Sequence, residues 1–125
     1  MSSRTRRDGG LSFDRTKRLT KPAEFARVKS DGHSVAGSLL LLGVLQRSET
    51  PGFRAGFVTS KRVGGAVIRN RVRRRMREIV RKNQQRLRPG IWLVMVARPP
   101  AARSSYVELE HEWLRLANRA SILAP

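Results

Sequence analysis

Between Ser60 and Asn83 the chain reads SKRVGGAVIRNRVRRRMREIVRKN. Ile68, Val72, Met76, Ile79 and Val80 recur at steps of four, four, three and one residues, which stacks them on one side of an α-helix. At roughly 100° per residue, Asn70, Arg74, Arg77 and Arg81 fall near the opposite side. Arg69 and Arg73 flank one border, and Arg71, Arg75 and Lys82 the other. The stretch holds ten Lys or Arg residues and a single acid, Glu78. Such an element must lay its greasy face on a core and offer its guanidinium face to something else. Polyphosphate fits best, because Arg is a rigid planar fork of donors that stays charged and pairs bidentately with phosphate. Eight positive side chains on one helix repel one another, a cost that a nearby anion relieves. A merely solvated helix mixes Glu with Lys, and this one does not.

A chain of 125 residues, 39% of them hydrophobic, is enough for one compact domain with a modest core. Lys and Arg number 27 against 9 Asp and Glu, a net charge of +18. That excess implies a polyanionic partner, nucleic acid before an anionic membrane. Arg greatly outnumbers Lys, which favours specific phosphate or base contacts over diffuse steering. The absence of cysteine excludes disulfides and thiolate zinc modules. No apolar run approaches the roughly 18 residues of a membrane span, and the basic start MSSRTRRDGG is not followed by the apolar stretch of a secretory signal. A cytoplasmic protein is the expectation.

Residues 1–17 are polar, charged and Gly-containing and read as a flexible basic arm, followed by a single domain over 18–123. Leu19 to Asp31 is the expected first helix, with Pro22 in its first turn, Leu19, Phe25 and Val28 as apolar positions, and Gly32 as a left-handed cap. Ser34 to Gln46 reads as one long strand or two with a break at Gly37, and Gly43 marks a candidate bulge. After the turn at Pro51-Gly52, Phe53 to Lys61 alternates and is expected to pair antiparallel with the preceding strand. Gly64-Gly65 opens the basic helix, where a helix N-terminus favours an anion, but the spacing of a Walker loop is absent. That helix should run to about Arg86, before Arg88-Pro89-Gly90. Ile91 to Ala97 is the most apolar run and suits a buried central strand. Ser105 to Glu108 is a capping-box pattern opening a last helix to about Leu123, with Trp113 in its apolar stripe.

No catalytic constellation emerges. His33 and His111 stand apart, with no Ser-His-Asp set, and the acids are scattered. Glu108, Glu110 and Glu112 share the last helix and read as solvated. Three alternatives share the electrostatics: a general or ribosomal RNA-binding protein, a metal-dependent nuclease acting alone, and a basic membrane-surface protein. The last would need Val72, Met76 and Val80 exposed, whereas the core needs them.

The run SKRVGGAVIRNRVRRRMRE resembles the signature of the bacterial ribonuclease P protein subunit, through Lys61, Arg62, Gly64, Ala66-Val67, Arg69-Asn70-Arg71 and Arg73-Arg74. Arg18 to Phe25 (RLTKPAEF), Gly32 to Gly37 (GHSVAG) and Val96 to Ala101 (VARPPA) agree in collinear order, so the likeness covers about Arg18 to Leu123. The resemblance implies a single two-layer α+β domain in the order α-β-β-β-α-β-α, like the second domain of one ribosomal protein. It also implies a left-handed strand–helix–strand crossover, against the general rule. It implies a monomer in one-to-one complex with a large catalytic RNA, helping to remove the 5′ leader from precursor tRNA. The chemistry is then carried by RNA and Mg2+, with no cofactor held by the protein alone and no catalytic residue in it. By the same resemblance, Lys61, Arg62, Arg69, Asn70, Arg71, Arg73, Arg74 and Arg77 face the catalytic RNA. Phe25, Lys29, Arg18 and Arg54 serve the leader, in a cleft between the first helix and the sheet. The family usually carries aromatics at three places in that cleft. Here the first is Phe25, but Lys29 and Gly43 stand at the other two, so leader binding is expected to stack less and to rely more on charge. Gly65 stands where an Asn often precedes the Ala-Val pair.

Overall fold

The computed structural model describes residues 17–124, so all of the expected arm except Lys17 lies outside the described residues. Three helices and four strands follow in the expected order: α1 (Pro22–Asp31), β1 (His33–Ala36), β2 (Leu40–Gln46), β3 (Phe53–Thr59), α2 (Ala66–Asn83), β4 (Ile91–Ala97) and α3 (Tyr106–Arg119). Single 3-10 turns sit at Lys61–Val63, Gln84–Arg86 and Pro99–Arg103. The strands form one mixed sheet in the order β1-β2-β4-β3.

That order corrects the expected β2–β3 hairpin. β4 lies between them, antiparallel to β2 and parallel to β3. The inner place goes to the strand that can bury both faces. Ile91, Leu93, Met95 and Ala97 enter the main core, and Trp92, Val94 and Val96 a smaller one on the reverse face. β3 carries Arg54 and Gly56 on that reverse face and suits an edge. Its parallel pairing with β4 needs a crossover, which α2 supplies. Helices α2 and α3 pack on the main-core face, burying Val72, Met76, Ile79, Val80, Leu109, Trp113 and Leu116. Helix α1 lies on the reverse face, where Val28 joins Leu19, Leu45, Trp92 and Val94.

Several boundaries also move. Helix α1 begins at Pro22, because the residue before a proline is kept out of the helical region and Lys21 is extended. Leu19 belongs instead to the sheet, where its N–H donates to Ala55 O at 2.9 Å. Gly32 is extended, not left-handed, with φ −97°. It is glycine because a Cβ there would lie 2.1 Å from Val44 O. Gly43 forms no bulge, since β2 pairs without interruption from Leu40 to Gln46. β3 ends at Thr59, and Lys61 opens the following turn. Helix α2 ends at Asn83, and α3 ends at Arg119, with Leu123 bridged to Leu87. The break at Gly37 and the Ser105–Glu108 capping box stand as read.

Two of the three acids read as solvated are structural. Glu112 is 3% exposed. Its Oε2 accepts the N–H groups of Leu39 and Leu40 at 2.7 Å each, and its Oε1 accepts from Ser38 and Arg115 at 3.3 and 3.1 Å. A Cβ on Gly37 would lie 2.4 Å from Oε2, so the glycine makes room for this carboxylate. Glu110 accepts from Lys82 and Asn83, joining α3 to the end of α2. The sequence conceals these roles because the partners lie far off in the chain. Glu112→Ala leaves two strand-end N–H groups unpaired, and urea unfolding in phosphate buffer should register a loss of about 2–4 kcal/mol. A loss within error of zero would show that the Glu112 contacts do not hold the β1–β2 turn.

Candidate nucleic-acid interface

Helix α2 places its side chains as the periodicity demands. Val72, Met76, Ile79 and Val80 are buried and Ile68 is half-buried. Asn70 and Arg74 are exposed on the outer face, and Lys61 and Arg62 are exposed on the turn before it. The N-terminus of α2 carries no acid in its first turn and no side-chain cap at Gly65. Nothing lies within 4 Å of where a Gly65 Cβ would be, so the approach to this helix end is open.

The two borders of α2 differ. On one, Arg71 donates to Ala102 O at 2.8 Å and Arg75 to Ser104 O at 2.9 Å, stitching the helix to the 99–104 turn. Lys82 reaches Glu110 at 3.0 Å and lies 5.2 Å from the centre of the Tyr106 ring. On the other border, Arg73 donates to Thr59 Oγ1 at 2.6 Å and to Asn70 Oδ1 at 3.0 Å. Arg77 stacks over Phe57, 6.0 Å from its ring centre. Burial pushes the Arg77 guanidinium pKa down, and the charges of Arg18 and Arg73 push the same way. Arg69 is half-buried, with an Nε that meets no hydrogen-bond partner. Of the eight residues expected on this surface, Arg71 and Arg73 bond to other elements of the fold, Arg69, Asn70, Arg74 and Arg77 lie on or beside the outer side of the helix, and Lys61 and Arg62 stand exposed on the turn before it.

The second expected surface is a cleft of about 490 Å³ on the reverse face of the sheet. Phe25 and Lys29 of α1 form one wall, His33 and Ser34 of β1 another, and Gly43, Val58, Val94 and Val96 the floor. The tip of the Phe25 ring packs against β3, where a Cβ at Gly56 would be 2.6 Å from Cε1 and Cζ. Phe25 is therefore half-buried packing and cleft wall at once. Arg54 is drawn inward. It donates to Glu24 at 2.9 Å and to Arg18 O at 2.7 Å, with its guanidinium 5.5 Å from the Trp92 ring centre. The aliphatic floor escaped the sequence reading. Alternation puts Val94 and Val96 on one face of β4, but says nothing of where α1 stops covering it.

Among the described residues, no three His, Asp or Glu side chains come together as a metal site needs, and no helix is long and apolar enough to cross a membrane.

The family model described as Ribonuclease P matches residues 13–121. The ribonuclease P protein component of Roseiflexus castenholzii is 38% identical over 110 residues, covering 87% of this chain and 89% of that one. That of Acidothermus cellulolyticus is 41% identical over 104 residues, covering 82% and 86%. The solved structure of the Staphylococcus aureus RNase P protein aligns with a TM-score of 0.80 at 27% identity, covering 86% of this chain and 97% of that one. The Thermotoga maritima RNase P protein shares the fold, with a TM-score of 0.74 at 24% identity, covering 82% and 96%.

Two measurements check this geometry. Burial pushes the Glu24 carboxyl up, but the N–H groups of Lys21 and Thr20 and the Arg54 guanidinium outweigh it, and the net pKa falls below the ordinary glutamate value. A lowered folded pKa contributes stability that is present above about pH 4.3 and is lost as pH falls through the depressed value. Glu24→Gln should therefore cost about 1 kcal/mol at neutral pH, and the difference from wild type should shrink as acid is added. A difference that stays constant down to the acid end would overturn the tie. Second, the isolated protein at low salt should show a partial helical signal by circular dichroism and gain more on adding sulfate, because anions relieve the repulsion along α2. A spectrum indifferent to sulfate would mean that repulsion does not limit folding.

Proposed function

This chain belongs to the ribonuclease P protein family, and on that premise we propose that it binds a large catalytic RNA through α2 and the 5′ leader of precursor tRNA in the cleft beside α1. It is a ribonuclease P protein component, a protein of tRNA processing. The observation that carries the finer reading is that α2 buries Val72, Met76, Ile79 and Val80 while Asn70 and Arg74 stand exposed on its outer side, with Lys61 and Arg62 exposed on the turn before it.

In this reading Arg69, Arg73, Arg74 and Arg77 neutralise phosphates of the catalytic RNA and release its condensed counterions, the main source of affinity for a polyelectrolyte. Arg71 acts one step back, holding the 99–104 turn against the helix. The leader enters the cleft as a single strand, with one base against Phe25 and a phosphate near Lys29. Arg18 and Arg54 set the cationic rim behind Phe25, and Glu24 fixes the direction of Arg54. Lys29 and Gly43 in place of aromatics leave one stacking platform and a smooth aliphatic floor, which tolerates any base. The leader contacts exist only in the precursor, so binding them favours substrate over product. Hydrolysis is assigned to the RNA with its Mg2+, and the chain's contribution is to bind and orient. A monomer joins one RNA.

The test is cleavage of a precursor tRNA at low magnesium by the protein alone, by bacterial ribonuclease P RNA alone, and by both. One stacked base and one phosphate contact are each worth about 1–3 kcal/mol, so the mixture should exceed the RNA alone by roughly tenfold or more. Robust cleavage by the pure protein, or a mixture no better than the RNA alone, overturns the proposal.

A further inference from the structure

We propose that Val67, at the head of the outer side of α2, is a non-ionic anchor for the catalytic RNA, packing on the sugar and base carbons of a nucleotide. The proposal rests on the RNA-binding reading above and adds to it a residue whose contact is not electrostatic.

Among the described residues only two large apolar side chains stand exposed, Val67 at 80% and Val107 at 56%. A lone exposed valine is ordinary on a protein surface, so what surrounds each one decides its meaning. Val67 is the second residue of α2. At roughly 100° per residue it lies about 140° around the helix from the buried Val72, and so turns away from the core. Asn70 and Arg71 follow at three and four residues and Arg74 at seven, which places them on its side of the helix. Asn70 and Arg74 are exposed, as are Lys61 and Arg62 on the turn before α2. Nothing lies within 4 Å of where a Cβ on Gly65, two residues earlier, would be, so the approach is open. Val67 is an apolar spot among donors. Val107 is the contrary case. Glu108 follows it directly, and Glu110 and His111 stand three and four residues on, so a polyanion has no reason to settle over it.

The fold itself gives no reason for a valine at this place. Ile68, Val72, Met76, Ile79 and Val80 all pack in the main core, and Val67 does not. The first turn of a helix favours an acid, and a β-branched residue has low helix propensity. A glutamate at 67 would suit the isolated helix but repel a polyanion, and a lysine would serve a phosphate. Valine does neither, and matches instead the carbon surface of a nucleotide. An RNA whose phosphates are held by Lys61, Arg62 and Arg74 lies across Val67 and takes it out of water. An apolar centre within a polar rim is the common build of a binding surface. Phosphate contacts set where the backbone runs, whereas a contact to sugar or base depends on which part of the RNA is presented.

The full-length chain should be titrated with bacterial ribonuclease P RNA over a range of salt, as wild type, V67T, V67I, R74Q and V107T. Threonine keeps the outline and helix propensity of valine and puts a hydroxyl where a methyl was. V67T should weaken binding about fivefold to tenfold with the salt slope of wild type, because no counterion is released at this contact. R74Q should weaken it and lower the slope by about 0.9. V67I should bind at least as well as wild type, V107T should match wild type, and V67T should unfold at the wild-type urea concentration in sulfate. Wild-type affinity in V67T overturns the anchor, and so does a changed slope or a lowered urea midpoint in V67T, or an equal loss in V107T. The reconstituted holoenzyme then takes precursor tRNA as a second ligand. A V67T defect confined to that step, with assembly unchanged, also overturns the assignment to the catalytic RNA. A wild type that fails to bind the catalytic RNA overturns the RNA-binding reading and the anchor together, whereas a wild type that binds with V67T equal to it overturns the anchor alone.

Discussion

Helix α2 exists because burial of its apolar stripe outweighs repulsion among its cations. Val72, Met76, Ile79 and Val80 are each essentially inaccessible. Burying four such side chains contributes about 6–12 kcal/mol. Four like-charge pairs stand one turn apart, Arg69–Arg73, Arg71–Arg75, Arg73–Arg77 and Arg77–Arg81. At about 0.2–0.5 kcal/mol each they oppose the helix by only 1–2 kcal/mol in water. The margin is ample once the sheet is assembled and absent before it, so the helix depends on the sheet for more than its position. The sheet in turn needs the helix, because β3 and β4 can lie parallel only if the chain between them crosses over.

The same crossover divides the molecule's chemistry. Side chains on the α2 border near α3 are consumed in holding the fold: Arg71 and Arg75 close the carbonyls of the 99–104 turn, and Lys82 meets Glu110. Those on the border near β3 are left with neutral partners. Acids are few, and most are spent on one arginine each, so the cations on the outer side of α2 are left without a carboxylate.

What the sequence made legible follows from which patterns are local. The 3.6-residue period named the buried stripe of α2 correctly, and the Ser105–Glu108 capping box placed the start of α3, since both depend on residues within a turn or two. Strand neighbours were not legible. A period of two says which face a residue occupies but not which strand lies beside it, and the short Pro51-Gly52 connection argued for a hairpin that β4 displaces. The candidate site shows the same split. Phe25 and Lys29 were placed at the cleft by the family resemblance, the helix period alone giving Phe25 only as an apolar position, whereas the floor of Val58, Val94 and Val96 required the sheet. Glu112 was misread because its partners, the N–H groups of Leu39 and Leu40, lie more than seventy residues away.

Three glycines on the reverse face carry a connected argument. Gly32, Gly43 and Gly56 are all extended, a backbone that any residue adopts, and each faces α1 or its end. A Cβ would strike Val44 O at the first, crowd Val28 at 3.1 Å at the second, and strike the Phe25 ring at the third. Together they let α1 settle close to the sheet over its own length and no further, so the part of the sheet beyond Phe25 and Lys29 stays uncovered. The cleft is therefore defined by where a ten-residue helix ends. With Gly43 under Val28, this chain gains a closer helix where an aromatic would have widened the stacking surface. If a single strand lies there, as proposed, its affinity must come more from charge than from stacking, and Lys29 in the wall is the cation that lines the cleft.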